Sequence, residues 1–320
     1  MNPRPQNILF GVSLIIATAF TISVQDVVFK LFSSQLTLWQ IFALRGLLAV
    51  PMLVAISWLR GVHKDVLRAA FSFWPLLRAT FITTTFLAYY GAIPFLSLST
   101  VGAANYIAPI FVALLSAYAL QEPVRPLGWL GVLLGFVGVI VLLRPGTDAF
   151  SPWVILPVIG AAFYSLVHIT TRAKCQDTPL AALALSQNFV MMLAGIAMSA
   201  VLLWKTPTGA LASSYPYIFG QWAEVGLHEW MILVLLAGFA IILGMMLAGA
   251  YQVAPPPVIA TFEYSYLIFV ATWDIAIFGI SPTPGSVIGM GLIVVAGLLV
   301  LHRAPTTKKN SPEEPDTLAS

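Results

Sequence analysis

Of 320 residues, 59% are hydrophobic and 8% charged, with a net charge of +3, against roughly a quarter charged in a soluble domain. That composition excludes a soluble enzyme, and 15 cations against 12 anions make no nucleic-acid surface. A single cysteine, Cys175, excludes an intrachain disulfide framework, a Cys-based zinc cluster and an iron–sulfur site, and no cofactor is expected.

Apolar runs of about 20 residues are long enough to cross a hydrocarbon core roughly 30 Å thick. They predict an all-α membrane protein with ten transmembrane helices, at 8–30, 36–58, 71–93, 98–119, 128–143, 153–171, 180–203, 230–251, 256–279 and 286–302. The first run is longer than the apolar region of a signal peptide, has no small-residue cleavage site and continues through Asp26, so it is read as a span.

An even number of spans puts both termini on one side, and the positive-inside rule makes that side the cytoplasm. The inner segments then hold Arg4, Arg60, Lys64, Arg68, Arg125, Arg172, Lys174, Arg303, Lys308 and Lys309, ten of the fifteen cations, whereas only Arg144 and Lys205 lie outside. Lys30, Arg45 and Arg78 fall within or at the end of spans. Trp39, Trp153, Trp204 and Trp230 mark outer ends, and Trp58, Trp74 and Trp129 inner ends, as interfacial anchors do. The polar, Pro-rich stretch 304–320 is expected to be a disordered cytoplasmic tail.

The second half aligns on the first. NYIAPIFVA at 105–113 matches EYSYLIFVA at 263–271 in five of nine positions at an offset of 158, and Phe20 matches Phe163 at an offset of 143. The second alignment sets Gln25 opposite His168 and Arg45 opposite Asn188, and the long outer loop 205–229 absorbs the difference. Five spans per half is odd, so the second copy enters the membrane upside down. Such inverted repeats carry their sites near the midplane, between the halves.

The stretch NYIAPIFVALLSAYALQEPVRPLGWLGVLLGFVGVIVLLRPG, with Pro109, the Glu122-Pro123 turn and a Gly-rich following helix, resembles the EamA repeat of the drug/metabolite transporter superfamily. SPTPGSVIGMGLIVVAGLLVLHR near the end is similar to the same repeat, although Ile280 or Ser281 stands where the turn acid would be. The resemblance implies two five-helix repeats, 1–146 and 147–303, in a bacterial-type inner membrane. It also implies a carrier of small organic metabolites, often an exporter, with a central cavity lined by the first four spans of each half.

Ionisable residues inside a membrane cost a few kcal/mol each on insertion scales, so each is a functional candidate. Glu263, between Phe262 and Tyr264 and opposite Asn105 in the repeat, could take a proton or pair with a cationic group of the cargo; the alternative is an internal pair with Arg78. Arg45 could clamp a carboxylate or phosphate bidentately, or bridge to Asp26. Asp26 and Lys30, four apart, could pair with each other near the outer surface. Asp274 lies eleven residues beyond Glu263, about three turns, which predicts a similar face and a place in the outer vestibule.

His168 is read either as a packing residue or as a proton relay, which leaves Glu263, Asp274 and His168 as proton-coupling candidates. Gln187 and Asn188 could bond cargo or neighbouring helices. Tyr89, Tyr90, Tyr164 and Tyr251 could form an aromatic wall, and Tyr264 joins Tyr90, Asn105, Asn188, Gln187, Arg45 and Glu263 as a substrate-binding candidate. Pro109 and the AYQVAPPPV segment interrupt the chain, and freed carbonyls are tolerated only against protein or a wet cavity.

The Gly131/Gly135 and Gly285/Gly289 pairs allow close helix approach, within one chain or across a homodimer. A membrane-embedded enzyme would need an HExxH, a GxSxG, a Walker loop or a His/Asp ligand group, and the sequence has none. A channel would need a pore-loop signature, which is missing, and a receptor would leave the intramembrane charges unexplained. The expected partners are a small-molecule substrate and the lipid bilayer. Opposite charges among many tyrosines favour an amino-acid derivative, a nucleoside-like compound or riboflavin as cargo.

Overall fold

A computed structural model describes residues 7–32, 36–96, 98–122, 124–144, 151–205, 210–277, 279 and 283–302; the tail 304–320 and positions 280 and 281 lie outside the described residues. The described residues form no strand. In chain order the helices are α1 (Ile8–Phe32), α2 (Leu38–Leu59), α3 (His63–Ala70), α4 (Phe73–Ala92), α5 (Leu98–Asn105), α6 (Ala108–Ala119), α7 (Pro126–Leu143) and α8 (Ile155–Lys174). Then follow α9 (Leu180–Trp204), α10 (Ala210–Ser214), α11 (Pro216–Phe219), α12 (Leu227–Val253), α13 (Pro256–Glu263), α14 (Ser265–Ala276) and α15 (Pro284–His302).

Among the described residues, 7 stretches are long and apolar enough to cross a membrane: Ile8–Val28, Leu38–Leu59, Thr100–Ala119, Pro126–Leu143, Pro152–Lys174, Leu180–Trp204 and Leu227–Val253. The other three expected spans correspond to α4, the α13–α14 pair and α15. In α4, Arg78 and the threonines at 80, 83, 84 and 85 dilute an otherwise apolar helix. Each of these threonine hydroxyls donates to the carbonyl four residues earlier, which hides its polarity within the helix.

Local chemistry sets the helix ends. Thr37 caps α2 by accepting from the Gln40 amide at 3.4 Å, and prolines open α7 and α13 at a position where no N–H is needed. The expected span 98–119 is two helices, because Pro109 has no N–H to give the Asn105 carbonyl four residues back. The expected span 256–279 is likewise split, but at Tyr264 and without a proline there. The Leu267 amide bonds the Tyr264 carbonyl at 3.1 Å, one residue tighter than an α-helix. This break separates Asp274 from Glu263, so the eleven-residue spacing does not carry one helix face from one to the other.

The packing is pairwise: α7 lies along α15, α2 along α9, α4 along α8, and α1 along α12, α13 and α14, while α6 rests on α8 and α13. Between α7 and α15 the backbones nearly touch. A Cβ added to Gly289 would come within 2.7 Å of the Gly138 carbonyl, and one added to Gly138 within 2.9 Å of the Gly289 carbonyl. The Gly-rich helices therefore pack on each other within one chain. Their outer faces carry exposed Leu130, Leu133, Val137, Val287, Ile288 and Leu298, which suits lipid.

The segment expected as a simple outer loop is partly folded. Gln40, fully buried, donates to the Ala223 carbonyl at 2.8 Å and accepts from its amide at 3.0 Å. Trp39 Nε1 donates to the Ile218 carbonyl at 2.8 Å. These bonds fasten α11 and the residues after it onto the start of α2.

Candidate functional site

The site forms where α13 stops. Glu263 is the last residue of α13, and its Oε1 accepts from the Tyr251 hydroxyl of α12 at 2.7 Å and from the Tyr164 hydroxyl of α8 at 3.3 Å. His168 Nε2 stands 3.7 Å from the same oxygen, too far for a hydrogen bond. The imidazole is stacked on the Tyr251 ring with centroids 3.7 Å apart and meets the edge of Tyr164 at 4.3 Å. Both of its nitrogens are buried without a hydrogen-bond partner. No hydrogen bond reaches Glu263 Oε2 among the described residues, and the side chain keeps 14% of its surface exposed. One carboxyl oxygen is thus fixed by two phenols, while the other accepts no hydrogen bond among the described residues.

A row of tyrosines extends from this cradle. Tyr106, at the break between α5 and α6, packs against Tyr264 with ring centroids 5.9 Å apart. Tyr266 donates its hydroxyl to Asp26 of α1, and beside it Trp273 Nε1 donates to Ser23 at 2.9 Å. Tyr89 and Tyr90 meet edge to face at 5.3 Å, and Tyr90 meets the ring of Phe42, over which Arg45 lies, at 6.0 Å. Tyrosine hydroxyls therefore hold both acids, Asp26 and Glu263.

Among the described residues, neither Arg45 nor Arg78 forms an ion pair with an acid. Arg45 lies 5.6 Å above the Phe42 ring and donates from Nη2 to Met191 Sδ at 3.7 Å, and its Nε is buried without a hydrogen-bond partner among the described residues. Among the described residues no ion pair joins it to Asp26. Arg78, fully buried, donates from Nε to Thr171 at 2.7 Å and from Nη1 to Gln187 at 3.3 Å, and its Nη2 is unmatched. Pairing of Glu263 with Arg78 is therefore replaced by neutral partners on both sides.

Other expected site residues fall as follows. Asn105 ends α5 with its Oδ1 buried and unbonded. Asn188 donates to the Ala184 carbonyl of its own helix at 2.9 Å. Gln187 is occupied by Arg78. Tyr264 is fully buried against Gly135 of α7, where a Cβ would meet its ring at 2.5 Å. The side chains of Asp274 and Lys30 lie outside the described residues. Tyr266 as partner of Asp26 is not signalled by the sequence, because the two are separated by 240 positions.

An apolar cavity of about 210 Å³ lies elsewhere, lined by Trp39, Leu87, Gly91, Met198 and Phe219 among others. It has no ionisable lining residue, so the Glu263 region remains the place where chemistry is concentrated.

Residues 9–144 match the model of the EamA-like transporter family. The S-adenosylmethionine uptake transporter of Rickettsia prowazekii (strain Madrid E) is 20% identical over 94% of this chain and 96% of its own. The riboflavin transporter of Brucella anthropi is 23% identical over 63% of this chain and 67% of its own. A solved crystal structure, 16% identical, superposes with a TM-score of 0.71 over 92% of this chain and 96% of that one, a likeness of fold alone. A multi-pass helical bundle, a first half that matches the family model and a relative that aligns along nearly the whole length lead to one conclusion: the chain is similar to the EamA-like transporter family through residues 9–144.

Proposed function

We propose that the protein is a secondary transporter, an exporter or exchanger, of a small organic metabolite, and that it works by alternating access around Glu263. In this reading ten spans form two inverted five-helix halves, 1–146 and 147–303, with both termini and the tail 304–320 in the cytoplasm of a bacterial-type cell. The helix contacts support it, because exchanging the halves maps α4 on α8 to α12 on α1, α5 on α8 to α13 on α1 and α6 on α8 to α14 on α1, while α2–α9 and α7–α15 map to themselves. Two broken helices 158 residues apart also support it, since interrupted spans at the midplane build sites in inverted-repeat carriers.

The observation that carries the proposal is the half-satisfied carboxyl of Glu263. An acid whose one oxygen is held by Tyr164 and Tyr251 is preorganised for a cationic group or a proton, and the neighbouring tyrosines offer aromatic faces to an organic cation. Arg45, which pairs with no anion among the described residues, takes a carboxylate or phosphate of the same cargo in this reading. The relatives' names, S-adenosylmethionine and riboflavin transporters, support a cargo with an extended ring system, within the range of amino-acid derivatives, nucleoside-like compounds and riboflavin.

The test is counterflow in proteoliposomes loaded with unlabelled S-adenosylmethionine, riboflavin or an aromatic amino acid, followed with the labelled compound outside. Exchange of one of them supports the carrier; chemical conversion without exchange would support a membrane-embedded enzyme, and binding alone a receptor.

A further inference from the structure

One turn along α8 from His168, a second polar cluster ties three chain segments together. Arg172, only 8% exposed, donates from Nε at 3.2 Å and from Nη2 at 3.0 Å to Glu122 Oε1, and from Nη1 at 3.0 Å to the Gln252 carbonyl. The Gln252 side-chain amide donates to the Cys175 and Thr178 carbonyls at 2.7 and 2.9 Å, and Gln176 donates to the Gln252 carbonyl at 3.2 Å. The turn after α6, the end of α8 and the last turn of α12 are thereby joined. Glu122 is aimed by an unusual backbone: Gln121 adopts φ 54°, a left-handed conformation, and the Glu122 amide returns to the Ser116 carbonyl at 3.2 Å.

This cluster is mechanically continuous with the Glu263 cradle. His168 and Arg172 are four residues apart and so share a face of α8. Tyr251, which holds Glu263, is followed directly by Gln252, whose carbonyl holds Arg172. Any movement of α8 or α12 that follows occupation of Glu263 strains the contacts of Arg172. In the second half, Ile280 or Ser281 stands opposite Glu122, so the repeat supplies no second acid of this kind.

We propose that Arg172, Glu122 and the Gln252 carbonyl form a latch that closes the bundle at the end where α8 finishes, and that the latch opens once in each transport cycle. The inference rests on the transporter reading. A partly sheltered ion pair is suited to such a latch, because it holds one conformation and yet yields to a modest difference in cargo affinity between two conformations.

The chain carries its own reporter, because the sole cysteine, Cys175, is fully buried and its carbonyl belongs to the cluster. In full-length protein in lipid nanodiscs, N-ethylmaleimide should label wild-type Cys175 slowly and the Glu122→Gln variant about fivefold faster, as expected when a local opening becomes easier. Should that variant not fold, Glu122→Asp, which keeps the charge but shortens the reach, gives the same comparison. Spin labels at Tyr118→Cys and Lys174→Cys in a Cys175→Ser background separate opening from local melting. An opened latch adds a second, longer distance between the ends of α6 and α8. Labelling at the wild-type rate, or faster labelling with a single unchanged distance, would overturn the latch. Failure of counterflow with normal latch behaviour would instead count against the transporter reading.

Discussion

The Tyr264 hydroxyl donates to the Tyr106 carbonyl at 3.3 Å, and these two residues stand at matching points of two interrupted helices, 158 positions apart. Their rings are 5.9 Å apart. Each helix break frees backbone groups that must find a partner away from water, and one break serves the other. Removing that hydroxyl with Tyr264→Phe should lower stability by about 0.5–1.5 kcal/mol, read as a lower melting temperature, while cargo affinity stays near wild type because the ring remains against Gly135.

Glu263→Gln keeps the shape and the two phenol bonds but cannot ionise. In a proton-coupled carrier the variant retains cargo-for-cargo exchange and loses accumulation driven by a pH gradient. In a facilitator that uses the carboxylate to bind a cationic group, exchange and binding fall together. Wild-type exchange, uptake and pH response in this variant would remove Glu263 from the site.

Arg45 gives a second comparison. Loss of the bidentate fork in Arg45→Lys should cut transport at least tenfold with near-normal abundance, the scale of one lost charge-assisted contact. Because no ion pair joins Arg45 to Asp26 among the described residues, adding Asp26→Asn to Arg45→Ala should not restore abundance. Recovery in the double variant, measured by immunoblot of membranes, would mean that the two charges pair after all.

At the α7–α15 seam, Gly289→Ala forces a methyl to within 2.7 Å of a backbone oxygen. Overpacking of this kind costs about 1–3 kcal/mol, so the melting temperature of the purified protein should fall. Gly238→Ala is the control, since a Cβ there meets open space and the melting temperature should hold or rise.

For topology, a reporter active only in the cytoplasm should work when fused after Lys64, after Lys174 or at the C-terminus, and fail within 206–229. Activity in that last segment would make the number of preceding spans even and end the inverted-repeat reading.

Helix positions are legible in the sequence because apolar length and charge spacing are local properties of the chain. Pro109 announces the first break for the same reason, since a missing N–H is written in the sequence. The APPP segment points to a second break before α13, but the span itself breaks at Tyr264, where tertiary contact with α6 and α7 fixes the turn. Glu263 stands out as a charge in an apolar run, whereas its donors Tyr251 and Tyr164 are visible only as unassigned aromatics. Arg172 is, in the sequence, merely one of the cations of an inner segment. Its pairing with Glu122 spans 50 positions, and nothing in periodicity or propensity reports a contact of that range.

The glycine seam between α7 and α15 also limits how the molecule can move. With backbone against backbone at Gly138 and Gly289, and with Ile293, Leu292 and Leu142 packed beside them, drawing the two helices apart would open a void in the bundle. Neither can they approach further. A movement elsewhere in the fold that spares this seam therefore carries α7 and α15 as one rigid pair.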